Sequence, residues 1–389
     1  MPASSSPRPV AYLDHGATSW PKPEQVVHAV TRALTELGGN PGRGAYAMAL
    51  AASRAIFESR RTCAELLGVP DSRDLIFQPS CTAGCNLMLK GTLKPGDRVV
   101  VGSMEHNAVA RPLEHLARTG VEVVVVQGDR TGLVDPDDVE REVRAAPTRA
   151  VVCQHASNLT GTIQLIGDLA DIAHEHGALM LVDGAQGAGH VDVDIRVLGI
   201  DAYATSGHKG MLGPQGVGLL YLSPDLDVQT QVQGGTGGGG SESPDMPIER
   251  PDRYEAGTAN TPGILGLGAG AAFLITEGAR QHRREAELAR QLIEGISTIP
   301  GFRVLGPPAG APRVPIVSAV HDRVDADRIA FALDRTYGIA ARAGLHCAPW
   351  AHRTIGTVDC GAIRLGIGWG NTGEHIDLAL RALRDIVSS

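Results

Sequence analysis

Thr205-Ser206-Gly207-His208-Lys209-Gly210 closes an apolar run, Asp201-Ala-Tyr-Ala-Thr205, and precedes the glycine-rich Leu212-Gly-Pro-Gln-Gly216. The run reads as a buried strand, and a strand that turns on glycines delivers its lysine to a fixed point at the sheet's edge. Lysine is a poor core residue because desolvating an ammonium is costly. The same desolvation lowers its pKa toward the neutral, nucleophilic amine. Ser206 and His208 flank it with donors suited to a phosphate. A surface lysine on a glycine turn is the plainer reading, and the rest of the chain decides.

Outward from that turn, short apolar runs alternate with helical patterns. Strands are expected over 74–78, 98–101, 121–127, 150–154, 178–183, 201–205 and 216–222, and helices over roughly 82–92, 107–119, 136–145 and 168–176. The alternation argues for an α/β fold, with a large domain on a mostly parallel seven-stranded sheet covered on both faces. Ligands of such sheets sit beyond the carboxyl ends of the strands. Upstream, a strand is expected over 10–14, a helix from Glu24 after Pro21-Lys-Pro23, and a second helix over 49–67. From about 262 the pattern becomes a long helix over 262–297, strands near 302–305, 313–320 and 338–342, a helix over 325–336 and a closing helix over 373–386. This is a smaller C-terminal α+β domain. The expected division is 26–265 for the large domain and 266–389 for the small one, with 1–25 packing on the latter. Residues 1–10 are expected to be disordered, and the glycine run 234–240 to be a linker or a backbone close to a ligand.

The 389 residues are 43% hydrophobic and 20% charged, enough for a large core. A net charge of -8 and a pI near 6.0 exclude a nucleic-acid or anionic-membrane surface as the expected partner. The first residues lack the apolar core of a signal peptide, and a cytoplasmic protein is expected. Six cysteines in so long a chain form no disulfide framework, so free thiols are the expectation.

Leu181-Val-Asp-Gly-Ala-Gln186 ends a very apolar strand on a carboxylate, which needs a partner when buried. A protonated pyridine nitrogen is one such partner, and Gln186 has a donor for a phenolic oxygen; Asp183 as the cap of a turn is the plainer alternative. An amine, phosphate donors and this carboxylate together are what pyridoxal 5'-phosphate requires. Pro79-Ser-Cys-Thr-Ala-Gly84 places hydroxyls and N–H groups at a helix start, an anion site unless Thr82 is a simple N-cap. In Met104-Glu-His-Asn107, His106 is placed to stack on a flat ring, with Asn107 the expected N-cap; His155-Ala-Ser-Asn158 ends the next strand similarly. Arg342-Ala-Gly-Leu-His-Cys347-Ala-Pro suits an exposed, reactive thiol in an electropositive setting. A buried inert Cys347 is the alternative; zinc held by His346, Cys347, His352 and Cys360 fits no common module, so no metal is expected. Arg364, in a strand pattern, suggests a bidentate clamp for an α-carboxylate, against a solvated edge arginine.

With these pieces in order, the chain resembles the class V aminotransferase superfamily of fold type I pyridoxal-phosphate enzymes, and within it the group II cysteine desulfurases and selenocysteine lyases. The resemblance runs from Tyr12-Leu-Asp-His-Gly-Ala-Thr18 to Asn371-Thr-Gly-Glu374 and rests on Ser206-Gly-His-Lys209, Asp183 to Gln186, Glu105-His-Asn107, Glu255-Ala-Gly-Thr258 and Arg342 to Ala348. It implies Lys209 as the cofactor-bearing lysine, Asp183 and Gln186 as ring partners, and His106 as the stacking ring. It implies Thr82, Ala83, Ser206 and His208 at the phosphate, with Thr258 lent by the second subunit of a homodimer. It further implies Arg364, Asn158, Arg43, Arg342 and Gly16 around the substrate, and Cys347 as the sulfur acceptor. The implied activity converts cysteine to alanine, leaving a persulfide on Cys347 for an acceptor protein or small thiol. A C–S β-lyase on an S-substituted cysteine, or a selenocysteine lyase, is the alternative. His15-Gly16, where relatives usually carry Asn or Ser then Ala, bears on substrate choice, and Ser80-Cys81 replaces a more usual Gly-Thr.

Overall fold

The structure is a computed structural model and describes residues 10–42, 44–236 and 242–388. The disorder expected at the N-terminus, the substrate role expected of Arg43, and the glycine run from 237 on all lie outside the described residues. The chain opens on a short strand β1 (Ala11–Tyr12) and helices α1 (Glu24–Thr35) and α2 (Ala47–Leu66). It continues through β2 (Leu75–Gln78), α3 (Cys81–Thr92), β3 (Arg98–Gly102), α4 (Asn107–Ala117), β4 (Glu122–Val126) and α5 (Pro136–Ala145). Then follow β5 (Ala150–Gln154), α6 (Ile166–Glu175), β6 (Leu179–Asp183), β7 (Ala202–Ser206) and β8 (Gly218–Leu222).

These seven strands, β2 to β8, form one sheet in the order β2-β8-β7-β6-β5-β3-β4. All pairings from β7 to β4 are parallel, and β8 runs against both of its neighbours. Alternate side chains of a strand point to opposite faces. Val100, Val151, Met180, Val182 and Tyr203 accordingly join one buried cluster, while Val99, Val101, Val152, Leu181, Ala202 and Ala204 join another. Both faces are covered, so the strands read as unbroken apolar runs. Each fully buried Val or Leu contributes roughly 1.5–3 kcal/mol, which makes the sheet a rigid platform for whatever stands on its carboxyl edge.

The long helix α7 (Thr261–Ser297) links this sheet to a second layer. Its best window has a mean hydropathy of 1.3, and 56% of that window is buried inside the molecule. It is a core helix: Ile264, Leu267 and Leu274 pack in the first cluster under the large sheet, and Leu288, Leu292 and Ile296 in a separate one. Downstream lie β9 (Phe302–Leu305), β10 (Ile316–His321), α8 (Ala326–Tyr337), β11 (Ile339–Ala340), β12 (Arg342–Gly344), α9 (Pro349–Thr354), β13 (Ala362–Gly366) and α10 (Gly373–Ser388). Strands β12, β13, β10 and β9 form a four-stranded antiparallel sheet in that order.

The strand expected over 313–320 starts at Ile316 instead, after Pro315, which has no N–H for a ladder. The one expected over 338–342 divides at Ala341: β11 pairs with β1, and β12 joins the small sheet. Of the strand expected over 10–14 only Ala11–Tyr12 is regular, because Asp14 leaves the ladder for an isolated bridge to Gly366. Helix α9 carried no periodic signal in the sequence.

Candidate active site

Strand β6 ends at Asp183, whose neighbours across the sheet are Gln154 and Ala204. Its Oδ1 accepts the Ala185 N–H at 2.9 Å and the Cys81 thiol at 3.3 Å. The next strand, β7, ends at the buried Ser206, and the turn beyond it carries Lys209. Gly207 is required there, since a Cβ on it meets the Val217 carbonyl at 2.7 Å. Burial pushes the Lys209 amine below its ordinary value, and the Asp183 charge opposes that shift. Amine and carboxylate are thus within electrostatic reach on the same edge.

The carbonyl of His208 is clamped by the Ser19 N–H at 2.9 Å, the Ser19 hydroxyl at 3.0 Å and the Lys22 ammonium at 3.1 Å. The turn therefore cannot drift from the N-terminal segment. Desolvation, then the neighbouring Lys209 charge, lowers the His208 imidazole to about 4, and its Nδ1 is buried without a partner.

Helix α3 starts at Cys81, with Ser80 as the N-cap accepting the Ala83 N–H at 3.2 Å. Thr82 is therefore a first-turn residue rather than the cap, and its hydroxyl stays at the helix N-terminus where anions bind. Helix α4 is capped by His106, not by Asn107: the His106 Nδ1 accepts the Ala108 N–H at 3.0 Å. That bond fixes the ring's tautomer and plane, and burial first, then the Lys209 charge, holds the imidazole down at about 4. Glu105 is fully buried with Oε1 on the Gln154 N–H at 2.7 Å and Oε2 without a partner; desolvation, then the Asp183 charge, raises its carboxyl well above the usual range.

Gln186 gives an amide N–H to the Gly16 carbonyl at 2.8 Å, which leaves its second N–H and an unpartnered Oε1. Gly16 in turn lies on Arg364, where a Cβ meets the guanidinium carbon at 3.1 Å. Arg364, on β13, is among the largest fully buried side chains. Its Nη2 donates to Asp14 Oδ1 at 3.0 Å, its Nη1 to the Asn158 carbonyl at 3.0 Å, and its Nε has no partner. Arg364 is thus a held clamp, not a solvated edge residue. Arg342 stands directly opposite it across the β12–β13 ladder.

Cys347 is exposed, on a turn in which His346 and Cys347 both have left-handed backbones, φ 52° and 56°. Such residues are held by their surroundings. Here the Asn158 amide donates to the His346 carbonyl at 2.7 Å and the Asn107 N–H to the Cys347 carbonyl at 2.8 Å. Asn107, next to His106, and Asn158, whose carbonyl Arg364 holds, therefore fix the thiol's backbone, which no local pattern disclosed. His15 is buried and edge-on to Tyr12 at 5.0 Å, with burial lowering it to about 3, and it lines a cavity together with Lys209. Thr258 is exposed, and among the described residues its hydroxyl has no hydrogen-bond partner. The segment before it is tied down by a bidentate Arg60–Glu255 pair at 2.6 and 2.8 Å.

A flat, anionic, aldehyde-bearing ring fits this set. The amine is desolvated, a fixed carboxylate ends β6, the helix start of α3 packs beside the end of β7, Gln186 keeps one amide N–H uncommitted, and His208 Nδ1 is buried without a partner.

The family model for aminotransferase class-V matches residues 11–379. A probable cysteine desulfurase of Methanothermobacter thermautotrophicus is 36% identical over 381 residues, covering 96% of this chain and 94% of that protein. A cysteine desulfurase of Klebsiella pneumoniae is 32% identical, covering 97% and 94%. Among solved structures, the apo cysteine desulfurase of Thermococcus onnurineus superimposes with a TM-score of 0.90 at 29% identity, covering 97% of this chain and 95% of that one. The cysteine desulfurase CsdA of Escherichia coli gives 0.86 at 28%, covering 97% and 94%.

Proposed function

The chain belongs to the aminotransferase class-V family, and from that premise we propose that it is a pyridoxal-phosphate-dependent cysteine desulfurase, converting L-cysteine to L-alanine. Members of the family use this cofactor. Its bound ring supplies an electrophilic carbon and an electron sink for the electrons released at the substrate's α-carbon.

Lys209 carries the cofactor, Asp183 keeps its ring nitrogen protonated, and Gln186 faces the phenolic oxygen. His106 covers the ring face, while Thr82, Ala83, Ser206 and His208 hold the phosphate. Arg364 takes the substrate carboxylate through the guanidinium N–H groups that its bonds to Asp14 and Asn158 leave free. Asn158, Gly16, Arg342 and Arg43 complete the substrate pocket. The Lys209 amine, whose burial lowers its pKa, is the base for the α-proton. The Cys347 sulfur then bonds to the substrate sulfur as the C–S bond breaks. Alanine leaves, and the persulfide on Cys347 awaits a protein or small-thiol acceptor. The reading includes a cytoplasmic homodimer in which Thr258 reaches the partner's phosphate site, and a division into a large domain over 26–265 and a small one over 266–389.

The observation that carries the proposal is a desolvated lysine within electrostatic reach of a fixed strand-end aspartate, with an exposed cysteine pinned to the residues around them. Cys347→Ala tests the sulfur step. The variant is expected to keep the yellow absorbance of bound cofactor and to lose cysteine-dependent sulfide release. Unchanged release under a reductant, or pyruvate and ammonia in place of alanine, moves the assignment to a β-lyase.

A further inference from the structure

Beneath the carboxyl edge of the sheet, two thiols and the Asp183 carboxylate stand together. Cys81 Sγ lies 3.8 Å from Cys85 Sγ and 3.3 Å from Asp183 Oδ1, and all the donor atoms lie within 4.8 Å of one another. Helix geometry explains the first pair: Cys81 and Cys85 are i and i+4 on α3 and share a face. An ion at roughly 2.3 Å from each sulfur and 2.0 Å from oxygen, in tetrahedral geometry, needs edges of roughly 3.8 Å between sulfurs and 3.5 Å from sulfur to oxygen. The Cys81–Cys85 and Cys81–Asp183 separations match those edges with little movement, and the third edge is no longer than 4.8 Å.

We propose that Cys81, Cys85 and Asp183 form a binding site for a thiophilic cation of the zinc, cadmium or copper(I) class. Two thiolates and a carboxylate select soft or borderline ions over magnesium or calcium. Binding converts both thiols to thiolates and releases their two protons. A fourth tetrahedral position remains for water or another donor.

The test uses the full-length chain with Cys347→Ser and Cys360→Ser, which removes the exposed thiols. After the cofactor is stripped, cadmium chloride is titrated in, and the thiolate-to-cadmium ultraviolet band and the cadmium-113 NMR signal are read. One ion per chain with a two-sulfur, oxygen-containing donor set is expected. Cys81→Ser and Cys85→Ser are each expected to weaken binding at least ~10-fold. Cadmium-113 NMR reports the donor set without any change at 81 or 85, so a misfolded serine variant leaves the test standing. An oxygen-only signal, or unchanged binding in both folded serine variants, overturns the proposal.

Discussion

At the scale of single residues, the site is an exercise in controlled desolvation. Lys209 is useful because burial favours its neutral amine, and Asp183 is useful because two donors on Oδ1 fix its plane. Replacing Lys209 by alanine is expected to lower turnover at least ~1,000-fold and to let the cofactor dialyse away, both read on the same sample by absorbance and alanine release. Arg364 is a guanidinium with two arms already committed, so its shape matters as much as its charge. Arg364→Lys keeps the charge and loses the fork. It is expected to raise KM for cysteine by ~10-fold or more, with a smaller effect on kcat; an unchanged KM removes Arg364 from the substrate's carboxylate. Much of this was legible locally, because a buried lysine on glycines and a strand-end aspartate are costly unless they have partners. Asp14 was not, since its partner lies 350 positions away and nothing in Tyr12-Leu-Asp14 names it. The capping role of His106 was also hidden, because Asn107 is the better cap by composition and only the backbone shows that the helix starts one residue too early for it.

At the scale of elements, apolar runs that end in polar residues announced the strands, and both faces of the sheet are indeed buried. What the runs did not announce is how segments far apart are tied together. Arg60 of α2 lies over the Phe77 ring at 4.3 Å, grips Glu255 with both arms, and the same carboxylate accepts the Phe77 N–H at 2.6 Å. Breaking one partner of such a pair costs about 3–5 kcal/mol because the other charge is left nearly buried. Arg60→Ala is therefore expected to lower unfolding stability in denaturant by that order and to loosen the chain leading to Thr258; a change below about 1 kcal/mol contradicts the role given to the pair. The turn holding Cys347 is a second case. Asn158→Ala removes the bond to the His346 carbonyl, and hydrogen exchange is expected to rise over 344–348 while sulfide release falls. Exchange unchanged there means the turn holds itself.

At the scale of the molecule, six histidines among the described residues are pushed down by desolvation, His15 and His346 furthest, to about 3. An unfolded histidine titrates near 6.5. Below that pH the unfolded chain takes up protons that the folded chain refuses, so stability present above 6.5 is lost as pH falls toward 4. The slope is at most about 1.4 kcal/mol per pH unit for each histidine. Denaturant unfolding is expected to give a protein less stable at pH 5 than at pH 7 by about 2 kcal/mol or more; equal stability at both contradicts the burial of neutral rings. Sedimentation is expected to give twice the 40.6 kDa chain mass, the homodimer in which the exposed Thr258 finds its partner, and a monomer contradicts that. The central claim, that the substrate's sulfur leaves on Cys347, has its most direct test in the mass of one peptide. The cofactor-loaded enzyme is mixed with cysteine without reductant, digested, and the fragment bearing Cys347 weighed while amino acids in the supernatant are counted. We expect that fragment to gain one sulfur atom for each alanine released. A fragment of unchanged mass beside accumulating pyruvate and ammonia contradicts the claim.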